Sequence, residues 1–165
     1  MSSLFSSPSR SGFTFIELLV VITIMIVIFG GGIASFRTLD RRQSLLNTCR
    51  QIEQYSRTAQ KKARVGDKPS GCITLTSYRV SQTASGPDVV SLQAICLNAT
   101  YTIESYNVPT SLTFQAMTTM NFKVLHGGLM ETSGSVVVRS TTPRYQCQFS
   151  VEGGGSVSAT SIATY

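Results

Sequence analysis

Ser11-Gly12-Phe13-Thr14-Phe15-Ile16-Glu17-Leu18-Leu19-Val20-Val21 is the stretch from which the rest of the chain is read. A polar, serine-rich segment ends at Gly12, and an almost wholly apolar run begins at Phe13. Between Phe13 and Phe36 there are 24 residues, and Glu17 is the one charged residue among them. As an α-helix at about 1.5 Å per residue the run spans roughly 36 Å, enough to cross a hydrocarbon core of about 30 Å. The sequence therefore predicts a membrane-spanning helix. A carboxylate in such a helix costs on the order of 2.5–3.5 kcal/mol at the bilayer centre and less near its edge. Glu17 thus reads as a functional residue in need of a positive partner.

The order of these parts is not that of a secretory signal, which places its cleavage site after the apolar region. Charge flanking the run is weakly informative: Arg10 precedes it, and Arg37, Arg41 and Arg42 follow it. Gly30-Gly31-Gly32 interrupts the apolar helix and marks a weak point or a close-packing face, since each glycine costs about 1 kcal/mol relative to alanine. Beyond it, Leu45, Cys49, Ile52, Ser56, Ala59 and Ala63 recur at steps of three and four, one face of an amphipathic helix. Gly66 and Pro69 should end that helix near Val65.

After Pro69 the pattern becomes β. Residues 71–80 and 88–97 read as a hairpin, and 99–108 as a third strand. Residues 112–116, 121–125, 135–140, 145–151 and 156–160 are further short strands. Ser, Thr, Val and Tyr dominate them, as suits half-buried antiparallel strands. The expected fold is α+β: a long N-terminal helix, its first half membrane-spanning, packed on a C-terminal antiparallel β-sheet or small β-sandwich.

The net charge of +6 is uneven. Residues 37–68 hold nine Lys/Arg and three Asp/Glu, whereas residues 69–165 balance four against four. A solvated helix face explains the excess, and an anionic lipid, DNA or acidic neighbour is the sharper alternative. Four cysteines, Cys49, Cys72, Cys96 and Cys147, allow three complete pairings. No CxxC occurs and His126 is the single histidine, so no metal site is expected. Disulfides are the leading reading, with buried free thiols as the alternative. A hairpin centred near Ala84 would set Cys72 opposite Cys96. Cys49 lies on the helix stripe and Cys147 inside a late strand. If that strand packs beneath the helix, a Cys49–Cys147 bridge ties helix to sheet. No nucleophile elbow, zinc-helix or phosphate-loop pattern appears, and neither an enzyme nor a cofactor is expected.

The register of Gly12, Phe13 and Glu17 ahead of an apolar run resembles the class III signal of type IV prepilins and type II secretion pseudopilins. The resemblance implies cleavage after Gly12 by a membrane-embedded prepilin peptidase and N-methylation of Phe13. It implies that Glu17 serves assembly, pairing with the new amino terminus of Phe13 on a neighbouring subunit. The parts are then a leader (1–12), a transmembrane and assembly helix (13–36), an amphipathic continuation and turn (37–68), and a β-rich domain (69–165). The layout also resembles minor pseudopilins of the general secretion pathway protein H type, through Ser56–Arg64 and Phe122–Gly128. The function implied is a minor pilin or pseudopilin, a structural subunit of a type IV pilus or type II secretion pseudopilus. Its partners would be the peptidase, other pilin subunits and, before assembly, membrane lipid. Its place would be the inner membrane, single-pass, with the globular domain outside the cytoplasm. The alternative is a filament-presented binding module for DNA or a secreted substrate. The C-terminal GlyGlyGlySerValSerAlaThrSerIleAlaThrTyr carries no Lys or Arg, unlike the basic C-terminal motif of some DNA-binding members.

Overall fold

The computed structural model describes residues 12–83, 88–142 and 144–165, and within these the side chains of 30–37 lie outside the description. The expected leader therefore falls outside it except for Gly12. Among the described residues one helix, α1 (Phe15–Val65), is followed by eight strands. These are β1 (Leu75–Thr83), β2 (Val89–Cys96), β3 (Thr100–Asn107), β4 (Leu112–Met117), β5 (Met120–Lys123), β6 (Ser133–Ser140), β7 (Tyr145–Glu152) and β8 (Ser161–Thr164). They form two antiparallel four-stranded sheets, ordered β3-β2-β1-β5 and β4-β6-β7-β8. The chain is thus α+β. Two compact units divide it at Thr38 and Leu39.

Within the second unit, α1 buries one narrow face. Leu45, Cys49, Ile52, Ser56, Ala59 and Ala63 are all fully buried, joined by Thr48 and by Tyr55. Their three- and four-residue spacing puts them on one side of the helix. The helix ends in a Schellman turn: Gly66 N–H donates to the Ala63 carbonyl (3.2 Å) and Asp67 N–H to that of Lys62 (3.1 Å). Gly66 takes φ +69°, a conformation that glycine adopts without steric cost. The Leu125 amide, arriving from the turn after β5, also donates to Ala63 (2.8 Å).

Both sheets alternate in the strand period. Val90, Leu92, Ala94 and Cys96 of β2 face the core, as do Val136 and Val138 of β6 and Cys147, Phe149 and Val151 of β7. Tyr78, Val80, Met120 and Phe122 complete the contribution of the first sheet to the same cluster. Each fully buried aliphatic or aromatic side chain stabilises the fold by about 1.5–3 kcal/mol relative to exposure.

Two sequence expectations need correction. The β1–β2 hairpin pairs Thr83 with Val89 and Val80 with Leu92, so its centre lies two residues beyond Ala84. Cys72 is consequently not in β1 and not a ladder neighbour of Cys96, whose partner is Leu75. The cause is local: Gly71 takes φ +85° and Cys72 N–H bonds the Pro69 carbonyl (3.1 Å), so the chain turns before the strand begins. The last strand is Ser161–Thr164 rather than 156–160. Residues 156–160 instead use their polar groups elsewhere: Ser158 bonds the Ser150 amide (2.7 Å), and the Thr160 hydroxyl donates to Glu53 (2.6 Å).

Two disulfides are present. Cys72–Cys96 joins Cα atoms 5.7 Å apart, brought together by the turn at Gly71 and not by strand register. Cys49–Cys147 joins α1 to β7 with Cα atoms 6.5 Å apart. Polar links run alongside the second bridge. Gln60 donates to the Gly155 carbonyl (2.8 Å), and the Thr48 and Tyr106 hydroxyls share a hydrogen bond (3.1 Å). Gly155 takes φ +88°, and a Cβ there would collide with the Gln60 side chain and the Gly127 carbonyl.

Burial raises the Glu53 carboxyl, but the Thr160 hydroxyl and the Arg57 guanidinium outweigh it and hold the group below 4.5. Glu131 behaves alike: burial raises it, and hydrogen bonds from Asn121 bring it below 4.5. Lys62 is raised above 10.5, chiefly by its hydrogen bond to Asp67.

Two outcomes are expected. In urea unfolding of the full chain in detergent, replacing Cys49 and Cys147 by Ala should cost more than replacing Cys72 and Cys96. Loop-closure entropy gives about 4.7 kcal/mol for the separation of 98 and about 3.5 kcal/mol for that of 24. A reversed order would mean that the helix–sheet bridge is not the main covalent restraint. The second outcome concerns pH. Glu53 and Glu131 bind protons less readily in the native state, so their contribution is present above pH 4.5 and is lost as pH falls below it. The contribution of Lys62 has the opposite sign, present below pH 10.5 and lost as pH rises through its raised value. Glu53→Gln should flatten the acid limb of the stability curve; an unchanged slope would remove Glu53 from this account.

Candidate functional site

The helix that carries Glu17 begins with a side-chain cap. Thr14 lies just before α1, and its hydroxyl accepts from the Glu17 amide (3.3 Å). The Thr14 carbonyl accepts from the Glu17 and Leu18 amides (3.1 and 3.2 Å). Thr14 is thus the N-cap and Glu17 the third helical residue, the Thr-x-x-Glu spacing of a capping box. A carboxylate in the first turn also lies favourably in the helix dipole. Sequence reading passed over Thr14, although the three-residue spacing to Glu17 was its signal. The cap lies on the far side of Phe13 from Gly12, so this helix start contains no residue of the leader.

Gly12, Phe13 and Glu17 are all exposed. A Cβ placed on Gly12 would have nothing within 4 Å, and Phe13 is 81% exposed. The Gly12–Phe13 peptide bond is therefore sterically open. Glu17 has no ion-pair partner among the described residues. From Phe13 to Phe29 the helix exposes apolar side chains on every face, including Phe15, Ile16, Ile22, Ile26 and Phe29. An α-helix apolar all round belongs in lipid or among other helices, not in water.

Among the described residues, no helix is long and apolar enough to cross a membrane. The helical stretch Phe15–Phe29 has 15 residues, about 22 Å of helix against a core of about 30 Å. The remainder of the span expected over 13–36 includes residues 30–36, whose side chains lie outside the described ones. The backbone helix itself is continuous through Gly30-Gly31-Gly32.

The basic segment is partly spent within the fold. Arg41 donates to the Thr142 carbonyl, Arg42 lies over the Tyr145 ring, Arg57 pairs with Glu53 and Lys62 with Asp67. His126 is exposed in the turn after β5, its Nδ1 3.2 Å from the Val124 carbonyl. Among the described residues no group of three His, Cys, Asp or Glu side chains is placed to hold a metal ion.

Residues 7–33 match the family model described as prokaryotic N-terminal methylation motif. The match takes in the Gly12–Phe13 boundary, Glu17 and the apolar helix through Ile33. Neither the curated proteins nor the solved structures contain a match to the chain. The chain thus carries a prokaryotic N-terminal methylation motif, confined to 27 of its 165 residues.

Proposed function

We propose that this protein is a minor pilin or pseudopilin, a non-enzymatic structural subunit of a type IV pilus or type II secretion pseudopilus. The observation that carries the reading is the N-terminal methylation motif over residues 7–33, in register with an exposed Gly12–Phe13 bond and with Glu17. Before assembly, residues 13–36 span the inner membrane once, and the second unit lies outside the cytoplasm. Two disulfides in the second unit support an oxidising location for it. The apolar side chains from Phe13 to Phe29 then exchange lipid for neighbouring subunits as the filament forms. Glu17, unpaired within the described chain, takes the Phe13 amine of an adjacent subunit as its counter-ion.

Intact-mass measurement of the membrane-extracted protein should show loss of residues 1–12 and one added methyl group on Phe13. A mature chain that retains Met1–Gly12 in cells with an active peptidase would remove the basis of the reading. Glu17→Gln keeps the shape and deletes the charge. It should leave membrane insertion intact and lower incorporation into filaments by at least tenfold, because an amine buried among subunits would lose its partner. Wild-type incorporation of Glu17→Gln, measured by immunoblot of sheared filaments, would exclude the proposed ion pair.

A further inference from the structure

The second unit has one end at which chain turns converge. α1 ends there at Val65, β1 begins at Leu75, β2 ends at Cys96, β3 begins at Thr100 and β5 ends at Lys123. Strand pairing sets these termini side by side: Leu75 opposite Cys96, Ile95 opposite Thr100 and Ser77 opposite Lys123. The helix end joins them through the Leu125 amide on Ala63 and the Tyr78 hydroxyl on the Asp67 carbonyl (2.5 Å).

Four aliphatic side chains at this end face solvent: Val65 (72% exposed), Ile73 (69%), Leu97 (80%) and Leu125 (72%). They stand on turns that are held firmly. Ile73 and Leu97 flank the Cys72–Cys96 bridge, and the Ile73 amide donates to Asn98 (3.2 Å) while the Leu97 amide donates to Thr74 (2.9 Å). Val65 and Leu125 flank the Schellman turn at Gly66. Leu125 takes φ +67°, an uncommon conformation for a residue with a side chain, which its amide bond to Ala63 fixes in place. Large aliphatic groups fixed outward on braced turns and gathered at one end are suited to contact with another molecule.

The charge around them is net positive. Lys61, Arg64, Lys68 and Lys123 are exposed here, and none is in an ion pair among the described residues. The nearby carboxylate, Asp67, is taken by Lys62 at 2.7 Å. Glu104 lies farther along β3, opposite Leu92. Between Thr58, Lys61, Lys62, Val65 and Asp67 an open pocket of about 470 Å³ adjoins Val65 and can receive a side chain.

We infer that this end of the second unit is a docking surface for a segment of a partner protein that combines aliphatic and acidic side chains. The aliphatic residues would cover Val65, Ile73, Leu97 and Leu125, and the carboxylates would meet Lys61, Arg64, Lys68 and Lys123. A duplex nucleic acid fits less well, because it would leave four aliphatic groups against a phosphate backbone. The inference does not rest on the filament reading.

The test uses the full chain in detergent and a fluorescent peptide of alternating Leu and Asp, read by anisotropy. Control probes are the same peptide with Ser for Leu, the same with Lys for Asp, and a short DNA duplex. The Leu/Asp peptide should bind at least tenfold tighter than any control. Ile73→Ser with Leu97→Ser, and separately Lys68→Glu with Lys123→Glu, should each weaken it at least tenfold. Retention of the Cys72–Cys96 bridge in peptide maps verifies the fold of each variant. If a double variant loses the bridge, the exposed single changes Leu97→Ser and Lys123→Glu decide, each with at least a threefold loss. Equal binding of the Leu/Asp and Ser/Asp peptides would overturn the proposal, as would tighter binding of DNA. Self-association of the chain that Leu97→Ser abolishes would assign the surface to a second copy and would overturn it equally.

Discussion

The second unit is organised by the burial of one narrow helix face, from Leu45 to Ala63. Small side chains at Ser56, Ala59 and Ala63 let other backbones approach closely. That is why the turn after β5 can place its Leu125 amide on the Ala63 carbonyl, and why Gly155 can bring its carbonyl to Gln60. Larger residues at those helix positions would hold both turns away. Cys49, on the same face, makes the contact covalent through Cys147. Both sheets contribute to a single cluster that includes this face, so neither has its own separate core.

The same helix meets a different demand at its other end. From Phe15 to Phe29 no side of it is polar apart from Glu17 and the short hydroxyl of Thr23, which is turned back on the Val20 carbonyl (2.8 Å). One helical backbone thus carries two surface patterns, a stripe in one stretch and an all-round apolar coat in the other. The stripe is covered by the chain itself. The coat needs a medium or neighbours, because water leaves every one of those side chains hydrated at an unfavourable free energy. The Thr14 cap gives this segment a defined first turn before any such neighbour arrives.

Glycines in the second unit serve backbone proximity as well as turning. At Gly155 a positive φ and crowding coincide, so both the conformation and the missing side chain are required. Gly153-Gly154-Gly155 forms a turn after β7, closed by Gly155 N–H on the Glu152 carbonyl (2.7 Å), and its Gly153 carbonyl also accepts from Leu129 (2.9 Å). Such a long-range partner leaves no local trace in composition.

What the sequence determined by itself is whatever depends on periodicity and short-range chemistry. The stripe Leu45 to Ala63, the stop at Gly66, the strand-rich remainder and the register of Gly12, Phe13 and Glu17 are all of that kind, since each is set by residues within a few turns or one motif. The Thr14 cap was equally local and was legible in its spacing to Glu17. Tertiary structure decided the rest. The division of eight strands into two sheets, the position of the β1–β2 register and the late start of β8 depend on contacts between distant residues. Cys72 illustrates the difference: a register argument put it across the ladder from Cys96, whereas the bridge is made by a turn outside the strand. The convergence of Val65, Ile73, Leu97 and Leu125 at one end was invisible in the chain for the same reason. They are separated in sequence by up to 60 residues, and only the pairing of strand ends brings them together.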